Sequence, residues 1–288
     1  MRYLITGGRG MLSRALTKEL HERGYEVEAP GREELDLRDR QAIKSWIYSF
    51  RPDVIIQGAA YTKVDDAEEE EEEAHLINAT TTRYLAERAR EIGALLVYPS
   101  TDYVFDGRQN EPYTTDAPTA PLGAYGRSKL AGERAAERAG EYLIIRTSWL
   151  FGAGGKNFVA TVLERGARGE PLRVVDDQRG SPTWTKDLAR AILDLIEGEA
   201  PTGIYHVVNH GETTWYGLAL ATLLLAGLDT EITPIRTEEF PRPAPRPRYS
   251  VLDPTLTEAL IGPLPEWREA LGSALREGEF ELFAESRT

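Results

Sequence analysis

Two short stretches hold residues whose chemistry suits a core badly. In LLVYPSTDYVFDG, Leu95 to Gly107, an apolar run that reads as a buried strand ends in Ser100, Thr101, Asp102 and Tyr103. Polar tips at the mouth of a strand face either solvent or a ligand. In AYGRSKLAGE, Tyr125 and Lys129 stand four residues apart at the start of a helical pattern, which puts both on one face. Free tyrosine titrates near pH ~10, so it exchanges protons at neutrality only with help. A neighbouring ammonium favours the phenolate and brings the hydroxyl toward the working range of a general acid. A pair on a solvated helix face is the competing reading, and the surrounding elements must decide.

Those elements alternate. RYLIT precedes GMLSRALTKELHERG, YEVEAP precedes RDRQAIKSWIYSF, and DVIIQGAA precedes a helix ending in ATTTRYLAERAREIG; ALLVYPS and the Tyr125 helix follow, then YLIIRTS. Strands alternating with helices imply right-handed crossovers and a parallel sheet covered on both faces. The expectation is an α/β, doubly wound Rossmann domain over residues 1–150, to which a helix near 183–198 returns. Residues 151–288, with strand-like PLRVV and GIYHVVN and the proline-rich FPRPAPRPRYS, read as a smaller, discontinuous α/β substrate lobe. Ligands of such sheets bind beyond the carboxyl ends of the strands, where Ser100 to Tyr103 would lie.

The first strand runs into a glycine loop, LITGGRGMLSRAL. Gly7 would permit the tight turn and Gly10 the approach of backbone to a pyrophosphate, with the amides of the next turn, Met11 and Leu12, aimed at the phosphates. The third fingerprint position is Ser13, small enough to let the helix approach the sheet. At the end of the second strand Pro30 and Gly31 stand where an NAD-preferring site places an acid, and Arg32 follows. A cation there suits a 2′-phosphate, and Arg9 points the same way, so NADPH is the expected cofactor with NADH an admissible substitute. Asp36 could reach an adenine amino group or cap a helix.

Composition excludes several classes. Among 288 residues there are no cysteines and four histidines without a ligand spacing, so a metal centre is not expected. A formal charge of −13 argues against nucleic acid as a partner. No apolar run approaches the roughly 18 residues of a membrane span, and the expected location is the cytoplasm. The acidic run Glu68 to Glu73 reads as a solvated loop entering a helix N-terminus. A homodimer is compatible with the pattern, which does not itself reveal one.

Glycine loop, Ser100-Thr101 at a later strand end, and Tyr125 with Lys129 on the next helix follow the order of the extended short-chain dehydrogenase/reductase family, which the chain resembles. Within it, GAAYTKVDDAE, STDYVFDG, PLGAYGRSKLAGE, RTSWLFG, DDQRGSPTWTKDLA, GIYHVVNHGETTWYGLA and RPAPRPRYSVLD resemble the dTDP-4-dehydrorhamnose reductase branch. The resemblance implies reduction of the 4-keto group of dTDP-4-dehydro-L-rhamnose to dTDP-L-rhamnose, the last step of that nucleotide-sugar pathway. It makes Thr101, Tyr125 and Lys129 catalytic, with Tyr125 and Lys129 also on the cofactor. Leu37, Ala59, Ala60 and Tyr61 would complete the cofactor site. Asp102, Tyr103 and Trp149 would contact the sugar, and Asn157 and Arg242 the nucleotide, while Arg246 and Arg248 could equally be surface charges. Gln57 departs from the asparagine expected after the third strand. Two rivals remain: a reductase giving the 6-deoxytalose epimer, and a dinucleotide-binding regulatory subunit like that of methionine adenosyltransferase.

Overall fold

Most strands of the central sheet are continuous apolar runs because helices cover both of its faces. In the computed structural model, which describes residues 1–280, they are β1 (Arg2–Ile5), β2 (Glu26–Glu28), β3 (Val54–Ile56), β4 (Leu95–Thr101), β5 (Tyr142–Thr147) and β6 (Gly203–His206). All neighbours pair in parallel, in the order β6-β5-β4-β3-β1-β2. β2, at one edge, is the polar exception.

Successive side chains alternate between the two layers. Tyr3, Ile5, Ile56, Val97 and Ile145 meet Leu12, Leu16 and Leu20 of the helix Met11–Glu22, and Leu188, Ile192 and Leu195 of the helix Thr185–Glu197. Leu4, Ile55, Leu96, Tyr98 and Ile144 face the opposite way, onto Ile43 and Ile47 of Arg40–Phe50 and Leu85 and Ala89 of Thr81–Ile92. The returning helix brings its strand with it. GIYHVVN, read above as part of the second lobe, supplies β6 of the large sheet, because Thr185–Glu197 is the crossover that leads a parallel strand back beside β5.

The other C-terminal pieces pack separately. Leu172–Val175 pairs in parallel with Ile232–Ile235, and Val162, Ala219 and Leu223 cover that ribbon from the helices Phe158–Ala167 and Trp215–Ala226. Residues 281–288, the end of the expected lobe, lie outside the described residues. No described helix is long and apolar enough to cross a membrane.

Candidate active site

A cavity of about 960 Å³ opens at the carboxyl ends of β1, β3 and β4. Gly7, Gly10, Met11 and Leu12 form one wall, Arg32, Asp36 and Leu37 a second, and Ala59, Ala60 and Tyr61 a third; Tyr125 and Lys129 close it. All these positions follow strand ends or open helices, so the doubly wound topology gathers them on one edge. The structure adds Gly8 to the constrained glycines of the loop. Gly7 has φ +68, and a Cβ there would lie 2.7 Å from the Ala59 backbone; at Gly8, which the fingerprint overlooked, it would lie 1.9 Å from the Ala29 carbonyl. At Gly10 the nearest protein atom would be 3.4 Å away, so packing alone does not demand glycine. Ser13 is accommodated from the other side: a Cβ on Gly58 would meet its hydroxyl at 2.1 Å, so the glycine sits across the interface from the helix.

Two buried acceptors in this cavity, Gln57 Oε1 and Thr147 Oγ1, have no partner among the described residues. A buried polar atom left unpaired is costly. The volume, the glycine cradle and these orphaned atoms together fit a dinucleotide. Gln57 anchors its amide nitrogen on the Ile77 carbonyl at 3.3 Å, leaving its oxygen for the ligand. Arg32 lines the cavity without an ion pair among the described residues, whereas Arg9 is paired with Glu33 at 2.9 Å. Asp36 is held by Arg38, whose hydrogen bonds keep its carboxyl down at about 2. It is not the cap considered above: Asp39 accepts from the amides of Gln41 and Ala42 at the start of Arg40–Phe50.

Thr101 ends β4 opposite Thr147 of β5, and its hydroxyl donates to Asp102 Oδ1 at 3.0 Å. Burial pushes the Tyr125 phenol up, and the neighbouring Thr101 side chain offsets part of that rise. The expected helper, Lys129, lines the same cavity as Tyr125 and is anchored on β4. Its Nζ donates to the Pro99 carbonyl at 2.5 Å and lies 4.1 Å from the centre of the Tyr98 ring. Burial draws its pKa down to about 7, against the pull of Glu133. Pro99 has no N–H to offer, and it is tolerated because β3 stops pairing with β4 at Val97.

Asp102, expected against a sugar, lines neither this cavity nor the next. It is 2% exposed, lies 3.0 Å from Thr101 Oγ1 and accepts from Ser250 Oγ at 2.6 Å, so it orients Thr101 from behind. Burial pushes its carboxyl up to about 7. Below it, Glu133 accepts from Arg146 Nε at 2.9 Å and Nη2 at 2.8 Å, and from Ser100 Oγ at 2.5 Å. The sequence did not single out Glu133 or Arg146, because partners on β4, β5 and a helix meet only in the fold. Nor did it single out Asn78. The helix run Leu76–Thr80 is a π turn, a common device at functional sites, and it aims Asn78 at the backbone N–H and C=O of Tyr61 and at Ser128. The acidic run is likewise more engaged than a solvated loop: Glu68 accepts from Ala124 N at 2.8 Å, capping the helix Ala124–Ala136, and Glu71 pairs with Arg127.

A second cavity, about 610 Å³, lies beside Tyr103, whose ring meets Tyr125 edge-on at 6.0 Å between centroids. Phe158, Trp215, Phe240, Arg242 and Arg246 contribute to its walls. Trp149 has one ring face stacked on Trp215 at 3.6 Å, and its φ is +48. Asn157 is not at the cavity: its oxygen accepts from Ala160 N at 3.0 Å as the cap of Phe158–Ala167. Arg248 pairs with Glu238 in an exposed bridge, while Arg246 faces the cavity.

Comparison with known proteins agrees with this geometry. The family model "RmlD substrate binding domain" matches residues 1–280. A dTDP-4-dehydrorhamnose reductase of Streptomyces griseus is 46% identical over 94% of this chain and 91% of its own. A dTDP-4-keto-6-deoxy-D-glucose reductase of Streptomyces niveus is 40% identical over 95% of this chain and 96% of its own. The crystal structure of dTDP-4-dehydrorhamnose reductase from Bacillus anthracis in complex with NADP superposes with a TM-score of 0.93 at 39% identity, covering 96% of this chain and 99% of the other. With the model spanning nearly the whole chain and the fold shared at that level, the chain belongs to the RmlD family.

Proposed function

We propose that the protein is an NADPH-dependent reductase of the 4-keto group of dTDP-4-dehydro-L-rhamnose, giving dTDP-L-rhamnose. The observation that carries this is the position of Tyr125: it lines the larger cavity, and its ring meets Tyr103, which lines the smaller. A proton donor at that junction serves a carbonyl brought from one side and a reductant from the other. The nicotinamide, when bound, supplies the hydride. Tyr125 then donates its proton to the carbonyl oxygen, with the Thr101 side chain beside it and Asp102 holding Thr101. Lys129, fixed by Pro99, carries a charge that titrates near neutrality and becomes available to the ribose side of the cavity. Gln57 and Thr147 offer unpaired acceptors to the cofactor. Arg242 and Arg246 suit the diphosphate, and the Phe240 and Trp215 rings suit a base.

NADPH absorbance followed with enzymatically made dTDP-4-dehydro-L-rhamnose, with identification of the sugar product, tests the reading. Oxidation giving the rhamnose nucleotide supports it, and a talose epimer changes the substrate pose. No oxidation despite tight NADPH binding sinks it. Arg32→Ala is expected to cut the preference for NADPH over NADH about tenfold, as loss of one phosphate contact does; an unchanged ratio of kcat/KM values assigns the 2′-phosphate elsewhere.

A further inference from the structure

The segment from Ala59 to Glu71 reaches walls of both cavities and the Tyr125 helix. Ala59 to Lys63 line the larger cavity, and Glu68 caps the helix that carries Tyr125 and Lys129. Between them Asp65 reaches a proline-rich stretch far away in the chain. Its Oδ2 accepts from Arg242 Nε at 2.9 Å and from Arg242 Nη2; its Oδ1 accepts from Arg246 Nη1 and from the Ala244 amide at 3.2 Å. Both arginines line the smaller cavity. Among the described residues, neither has another carboxylate partner.

Two guanidiniums held this close repel each other unless an anion lies between them. Burial opposes ionisation of Asp65, yet hydrogen bonds from Arg246 and Arg242 hold its carboxyl well below the usual carboxylate range, so it is that anion. Each guanidinium has five N–H donors in a rigid fork, and Asp65 engages only part of each fork. Arg246 Nη1 also donates to the Ala244 carbonyl at 2.6 Å, and donors left over on the two forks can meet a second anion from the cavity side. The loop carrying Asp65 is also a wall of the larger cavity, and Asn78 clamps it at Tyr61. Filling that cavity therefore steadies the carboxylate that sets the arginines.

We infer that Asp65 is a positioning residue that presets Arg242 and Arg246 for the diphosphate of a nucleotide and makes their readiness depend on the occupant of the larger cavity. The inference rests on the function proposed above for its choice of ligand. Presetting lowers the ordering cost of binding, and the resulting coupling between sites is reciprocal.

Calorimetric titration of dTDP into the full-length protein, with and without saturating NADPH, is the test. NADPH is expected to tighten dTDP binding about tenfold in the wild type, a typical coupling. In Asp65→Asn, dTDP binding weakens about tenfold in the presence of NADPH and the coupling shrinks to under about twofold, while NADPH alone binds as before. In turnover, KM for the nucleotide sugar rises and kcat stays within about threefold. Wild-type affinity for dTDP that ignores NADPH overturns the inference. So does an Asp65→Asn protein that binds dTDP normally, or one that loses kcat at constant KM. Should Asp65→Asn fail to fold, Arg242→Gln, at a half-exposed side chain, is expected to raise KM and lower the coupling, and wild-type values there overturn the inference. Coupled binding of dTDP and NADPH without turnover of any 4-ketosugar nucleotide supports the role of Asp65 while sinking the reductase reading.

Discussion

The walls of the two cavities come from different distances along the chain. The larger one is built from strand ends and the turns that follow them: Gly7 after β1, Arg32 after β2, Ala59 after β3 and Ser100 in β4. The smaller one collects Tyr103, Phe158, Gln178, Trp215 and Arg246 from a turn, two helices and two irregular segments. Packing differs accordingly. Gly7 and Gly8 are hemmed in by Ala59 and Ala29, whereas Phe240 is 50% exposed on the rim of the smaller cavity. A parallel sheet fixes its strand ends whatever the loops do, so the first cavity is rigid by construction. The second depends on how inserted segments settle, which suits a site that selects among substrates.

Tyr125 lines the larger cavity and touches Tyr103 of the smaller, and the largest effect is expected there. Tyr125→Phe retains NADPH binding and loses about 10²- to 10⁴-fold in turnover, the usual worth of a general acid; near-normal kcat would remove Tyr125 from that role. The next test probes the rigidity of the glycine loop by stability. Gly8→Ala, with its methyl driven into the Ala29 carbonyl, is expected to lower the melting temperature by several degrees, equivalent to roughly 1–3 kcal/mol of overpacking. Gly10→Ala leaves the melting temperature of the ligand-free protein almost unchanged. Equal losses in both variants would mean that the loop is not rigid in the way proposed.

Phe240→Ala sharpens the contrast from the other side. It removes a half-exposed ring, so the melting temperature holds while KM for the nucleotide sugar rises roughly three- to tenfold, the worth of about one ring contact. A drop in stability with no change in KM would make Phe240 a packing residue.

The smallest effect is on pH dependence. Between about pH 4 and 7 native Asp102 keeps a proton that the unfolded chain releases, so its contribution to stability falls as pH rises. Between about pH 7 and 10 native Lys129 has lost a proton that the unfolded chain keeps, so its contribution rises with pH. Denaturant midpoints of wild type and Asp102→Asn at about pH 5 and pH 7 check the acid side. Wild type should lose ground to the variant as pH rises, and a constant difference would break the assignment.

The sequence by itself determined the parallel sheet and the glycine loop, and its spacing put Tyr125 and Lys129 on one helix. Each is encoded within a few residues, by an apolar run, a turn or a single helical spacing. Only the tertiary structure decided that GIYHVVN joins the large sheet, because a crossover helix more than ten residues long had to choose its face. It also decided what the polar residues do. Asp102 turns to Ser250, Lys129 to Pro99, Asn157 to its own helix, and Asp65 to Arg242 and Arg246. A carboxylate or an ammonium is satisfied by whatever partner the fold brings within hydrogen-bonding distance, and no local pattern records which partner that will be.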